Sequence, residues 1–130
     1  MDALERIRST IAGFAGYDDV TCRRLSDEQI RGFVGEVLAE LPAPAIDNLT
    51  PDDRACYDRV LLRCEFINQQ VFRTFDTDPT PQRIEALLLA DVLVVEAAST
   101  LRAQTGDKPD GVLAALSEAF DKRDAAMQLA

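Results

Sequence analysis

Two charged side chains stand where amphipathic helices should be apolar. Asp91 falls at the centre of a face formed by Ile84, Leu87, Val94, Val95 and Ala98. Arg123 falls among Leu116, Ala119, Phe120 and Met127. A charge withdrawn from water must be paired or hydrogen-bonded, because its desolvation is otherwise too costly. Two chemistries fit such a residue: a ligand contact or proton-transfer group, or a buried pair that only holds the fold. The spacing predicts the pairing. Asp91 precedes a short turn near Gly106–Lys108 by as many residues as Arg123 follows it. Equal counts put both at the same height on two antiparallel helices, ~24 Å from the turn. Asn68 is a third interruption, between Leu61, Cys64 and Phe72. Reflection through a turn at Asp78 places it near Leu88, one turn from Asp91. A cluster of Asn68, Asp91 and Arg123, with Glu65 at its edge, would bind an anionic or amide-bearing small molecule through Arg123, or would set helix register.

Other chemistries lack their residues. The chain has no histidine. Ser/His and Cys/His nucleophile pairs and imidazole metal sites are therefore excluded, and no catalytic residue is assigned. A carboxylate metal cage needs several inward-facing acids, and Asp91 is the only one the pattern offers. Gly-rich phosphate loops and nucleophile elbows are absent from the sequence, so no cofactor or metal is expected. Cys22, Cys56 and Cys64 show no metal-ligand spacing. Cys56 and Cys64 on one helix would be ~12 Å apart along its axis, too far for a disulfide. All three are expected to be reduced.

The elements that would position these residues are helical almost throughout. Leu4, Ile7, Ile11 and Phe14 give a short first helix, weakened by Gly13 and Gly16. Residues 16–26 carry no firm signal. Ser26-Asp27-Glu28-Gln29 has the form of a capping box and predicts a second helix from Asp27 to Leu41, ended by Pro42 and Pro44. Thr50-Pro51-Asp52-Asp53 predicts the start of a third, with its apolar face running from Tyr57 to Phe75. Thr80-Pro81 opens a fourth that reaches Thr105, and Lys108-Pro109-Asp110 opens a fifth. The expected helices are 3–15, 27–41, 51–75, 81–105 and 109–127. They make one all-α domain spanning 1–130, an antiparallel bundle of four main helices with a shorter N-terminal helix. Gly32 and Gly35 share the back of the second helix, where close helix approach or simple tolerance would explain them.

The third and fourth helices carry more apolar surface than a core needs. Leu62 and Phe66, flanked by Arg59, Arg63 and Arg73, lie opposite the main face of the third, and Leu89 and Leu93 lie on the back of the fourth. Either the N-terminal helix covers this surface or a second chain does, with the arginines at its rim. A two-fold homodimer is the expected form, another protein partner the alternative.

With 130 residues, 47% of them apolar, the chain suits one globular domain. Its 23 acids against 14 bases give a net charge of −9, spread evenly along the sequence, which disfavours nucleic acid and anionic membranes as partners. Of the 14 bases, 12 are arginine. The first residues, Met1-Asp2-Ala3-Leu4-Glu5-Arg6, have no signal-peptide pattern, and no apolar run approaches the ~20 residues of a membrane span. A cytoplasmic setting is expected. The leading expectation is a non-enzymatic interaction or self-associating protein. The alternative is a small-molecule-binding or sensing bundle centred on Asp91 and Arg123.

Overall fold

The computed structural model of the chain describes residues 2–66, 80–104 and 111–128. About four-fifths of these are helical, and no strand occurs among them. The helices are α1 (Ala3–Arg8), α2 (Val20–Ala39), α3 (Ala43–Asp47), α4 (Pro51–Glu65), α5 (Pro81–Ala103) and α6 (Val112–Gln128). The four long ones form a ring. α2 packs on α4 and α5, α6 packs on the same two, and α1 lies against α5. The closest packing is between α5 and α6, the pair expected as a hairpin. α4 and α5 stand diagonally across the ring. The core between them is built from Ile30, Val34, Val37, Val60, Leu87, Val94, Leu113, Leu116 and Phe120.

Threonine–proline starts act as expected. Thr50 accepts from the Asp53 N–H at 3.1 Å and Thr80 from the Arg83 N–H at 3.2 Å, each followed by proline at the first helical position. The capping-box expectation at Ser26 does not hold. α2 starts two turns earlier, capped by Asp19, whose carboxylate accepts from the Cys22 N–H at 2.7 Å. Ser26 lies inside the helix, fully buried, and its Oγ donates to the Gly16 carbonyl at 2.6 Å. A hydroxyl can satisfy a distant carbonyl as well as a local N–H, and only the tertiary contact decides which.

The first helix is also shorter than expected. It ends at Arg8, and Ile11 and Phe14 reach the core from a loop rather than a helix. The loop's polar groups are met by side chains. Gln29 accepts from the Ala15 N–H at 2.9 Å and donates to the Gly13 carbonyl at 2.7 Å, and Arg8 Nε donates to the Phe14 carbonyl at 2.9 Å. Gly16 turns the chain with φ +85°, a conformation open to glycine. The connection between the second and third expected helices, residues 43–50, contains α3, which buries Ala45.

α4 ends at Glu65, where an extension to Phe75 was expected. Phe66 has left helical geometry (φ −123°, ψ 128°). Apolar periodicity records which side chains seek burial, not whether the axis continues. Residues 67–75 lie outside the described residues, as do Asn68, Arg73 and the turns around Asp78 and Gly106–Lys108. Cys56 and Cys64 share α4 without interruption, and all three cysteines are free. At the α2–α4 contact, a Cβ on Gly35 would sit 3.8 Å from that of Cys64, an ordinary van der Waals contact, so helix approach does not demand this glycine. Gly32 faces open space.

Arginines tie the helices together around this core. Arg102 on α5 makes a bidentate pair with Glu40 after α2, at 2.9 and 2.8 Å, and lies 5.2 Å over the Phe33 ring. Arg6 pairs with Glu96 between α1 and α5. Arg63 on α4 donates to the Ser117 carbonyl on α6 at 3.1 Å and pairs with Asp121 and Asp124.

Two outcomes follow. Gly32→Ala should raise unfolding free energy by about 1 kcal/mol in urea titration, because the new methyl meets nothing and the helix loses a glycine. The Arg102 hydrogen bond lowers the Glu40 pKa from its ordinary 4.5. Its stabilising contribution is therefore present above pH 4.5 and disappears as the pH falls through the lowered value. Stability measured across that acid range should fall less steeply in Glu40→Gln than in the parent.

Candidate functional site

The pairing expected from the sequence is present. Arg123 Nε lies 2.7 Å from Asp91 Oδ1, with Arg123 2% exposed and Asp91 fully buried. The structure adds partners that sequence reading missed. Arg123 Nη1 binds Asp27 Oδ1 of α2 at 2.8 Å. The Tyr17 hydroxyl, in the loop before α2, donates to Asp91 Oδ2. Arg31 Nε binds the other Asp27 oxygen at 2.9 Å and passes Nη1 to the Cys64 carbonyl of α4 at 3.3 Å. One guanidinium thus joins α2, α5 and α6, and its neighbours reach the N-terminal loop and α4.

Asp27 escaped notice because Ser26–Gln29 read as a helix start. Carrying the α2 periodicity backward would have found it: Asp27 precedes Ile30 by three residues and Val34 by seven, on the buried face. Tyr17 had no such signal. It belongs to no helix, and its ring packs edge-on against Phe14 at 6.1 Å. Asn68 lies outside the described residues. Its placement beside Leu88 assumed that the third and fourth helices are neighbours, whereas α4 and α5 are diagonal.

The charges balance: Asp27 and Asp91 against Arg31 and Arg123. Burial pushes the Asp91 carboxyl above the usual carboxylate range, while Arg123 and the Tyr17 hydroxyl oppose the shift. Burial and the adjacent Asp91 charge together push the Tyr17 phenol well up, so it stays protonated and keeps donating. Burial works against the Arg123 charge, but Asp91, Tyr17 and Asp27 outweigh it and hold the guanidinium protonated. All four oxygens of the two carboxylates are engaged. Arg123 Nη2 is buried without a hydrogen-bond partner. The carboxylate oxygens are thus fully engaged, and Asp27, Asp91 and Arg123 are closed to water.

Other chemistry-bearing groups are equally quiet. Burial raises the Cys64 thiol to about 11, despite Arg31 nearby, so it is protonated at neutral pH and a poor nucleophile. Among the described residues no cluster of acids or cysteines could hold a metal ion. Open clefts lie elsewhere. One of about 530 Å³ runs between α1 and α5, with Ile7, Val92 and Val95 below and Ser9, Thr10, Ser99 and the Arg6–Glu96 pair around it. A second, of about 440 Å³, lies between Leu4 of α1 and the first turns of α5.

The apolar stripes are exposed. Phe66 is 67% exposed, Leu62 56%, Leu89 51% and Leu93 43%. α1 leaves them uncovered. Arg59 is exposed at the edge of the first pair, but Arg63, expected beside it at an interface rim, is turned inward and held by α6. The four apolar residues do not form one surface. Leu62 and Phe66 point away from the core on α4, and Leu89 and Leu93 do so on the diagonal helix α5.

No family model matches the chain, and neither the curated proteins nor the solved structures contain a match. No described helix is long and apolar enough to cross a membrane.

The ion cluster should behave as one unit. Asp91→Asn should lower stability by about 3–5 kcal/mol in urea unfolding, because Arg123 loses its closest counter-charge inside the core. Arg123→Met should cost a similar amount. The Asp91→Asn/Arg123→Met double variant should lose less than the two single losses combined, since Asp91 and Arg123 no longer strand each other and Asp27 keeps Arg31.

Proposed function

We propose that this chain is a non-enzymatic helical interaction protein that associates with further copies of itself through side chains exposed on α4 and α5. One observation carries the reading. The bundle leaves Leu62, Phe66, Leu89 and Leu93 in water while the paired Asp27, Asp91 and Arg123 are sealed inside it. Single exposed leucines are ordinary on a protein surface. Adjacent pairs one helical turn apart, on two different helices, are a better match to contact surfaces. Phe66 is the strongest anchor, because an aromatic ring buries a large area with few rotatable bonds.

The small-molecule reading has less support. Asp91 and Arg123 would have to break the hydrogen bonds that hold the helices before either could reach a ligand. Three free thiols fit a reducing compartment, so we place the protein in the cytoplasm. The acidic surface keeps nucleic acid and anionic lipid from competing for it.

Sedimentation equilibrium over rising concentration tests the proposal. The parent chain should show a mass above that of one chain, with an interface of at least ~1,000 Å². Phe66→Glu should remain folded by circular dichroism and sediment as a single chain. A parent chain that stays monomeric at several hundred micromolar would remove self-association as its function.

A further inference from the structure

We infer that this association is head-to-tail: the Arg59–Leu62–Phe66 face of α4 in one copy seats in the groove between α1 and the start of α5 in the next. The inference rests on the self-association reading above and specifies its geometry.

The two surfaces are complementary in shape and charge. On α4, residues 59, 62 and 66 follow the three- and four-residue steps of one helix face. Leu62 and Phe66 protrude where the helix ends, and Arg59 stands one turn before them. Among the described residues Arg59 makes no ion pair; its hydrogen bond is a long one to Cys56 Sγ at 3.6 Å. The α1–α5 groove is the reverse. Leu4, Ile84, Leu88 and Leu89 give it apolar walls, and its charged residues are Asp2 and Glu85. No basic residue lines it, and neither acid makes an ion pair among the described residues. Asp2 uses one oxygen to cap α1, accepting from the Glu5 N–H at 2.8 Å, and leaves the other for a partner. One copy therefore offers an apolar knob with an unpaired cation, and the next an apolar groove with unpaired anions.

The ring places these surfaces on opposite sides. α4 and α5 are diagonal, and each patch points away from the core. A two-fold pair repeats one face on both partners, so it cannot bring a knob on one side and a groove on the other into contact twice. The groove faces away from its own knob, so each added copy presents a fresh knob or groove. The result is an assembly of more than two chains, a ring or an open series, rather than a closed two-fold dimer.

Mixing two variants tests this directly. Phe66→Glu removes the knob and Leu89→Glu damages the groove. Both residues are exposed, and retained helicity in circular dichroism shows that each variant folds; Leu62→Ser and Leu89→Gln serve in their place if one does not. Each variant alone should be monomeric by sedimentation velocity. An equimolar mixture should form a species of two chains and nothing larger, because one intact knob meets one intact groove. The parent should pass beyond two chains as concentration rises. Arg59→Glu should weaken association at least tenfold, and adding Glu85→Arg should restore it in part. If Leu89→Glu associates like the parent while Phe66→Glu does not, the contact is a two-fold pairing of α4 faces: self-association stands and the head-to-tail geometry falls. The converse pattern overturns it in favour of α5 pairing. A mixture that stays monomeric also overturns it. A monomeric parent removes both readings.

Discussion

The register of α2, α5 and α6 is held by the buried guanidinium of Arg123. Arg123 holds Asp27 of α2 and Asp91 of α5 on adjacent nitrogens, and the planar fork fixes where both carboxylates must be. Tyr17 and Arg31 then extend the constraint to the N-terminal loop and α4. Apolar side chains alone would let these helices slide by a turn at modest cost. A buried charge does not allow this, because any slip strands a carboxylate or the guanidinium away from water. The cluster contributes little by being made and a great deal by being costly to break. That is the signature of a device for specificity of packing rather than for net stability.

Three further arginines repeat the same device at lower stakes. Arg102 joins α5 to the end of α2, Arg63 joins α4 to α6, and Arg6 joins α1 to α5. Each sits at the edge of the core, where solvent screens the pair and leaves it worth ~1 kcal/mol or less. Their common feature is geometric. A guanidinium can meet two oxygens, a backbone carbonyl and an aromatic face at once, as Arg102 and Arg63 do, whereas an ammonium is a point charge. The excess of arginine over lysine thus has a structural use in this fold, beyond any bias in composition.

The Asp27–Asp91–Arg123 cluster is closed inside the bundle, while leucine and phenylalanine side chains stand exposed on α4 and α5. The uneven burial of α4 follows from its place in the ring. Only Val60 is fully buried along its fifteen residues, and Arg63 ties its inner edge to α6. Held by α2 on one side and α6 on the other, the helix leaves its outer face free. The same holds for α5, whose inner face carries the core and Asp91 while its back presents Leu89 and Leu93.

The sequence by itself determined the helical class, the Thr50-Pro51 and Thr80-Pro81 starts, the free cysteines on one helix and the Asp91–Arg123 pair. These are local or nearly so. Capping chemistry acts within four residues, and an antiparallel hairpin with a short turn converts sequence distance into height. Tertiary structure alone decided the rest. Ser26 could cap a helix or meet the Gly16 carbonyl, and only the fold of the N-terminal loop placed that carbonyl within reach. Asp27 meets Arg123 across 96 residues of sequence and Tyr17 meets Asp91 across 74, and no periodicity carries that far. Periodicity marked Leu62, Phe66, Leu89 and Leu93 as surplus to the core, but not that they point in opposite directions. That depends on α4 and α5 being diagonal, which is a property of how four helices close a ring and is invisible along any one of them.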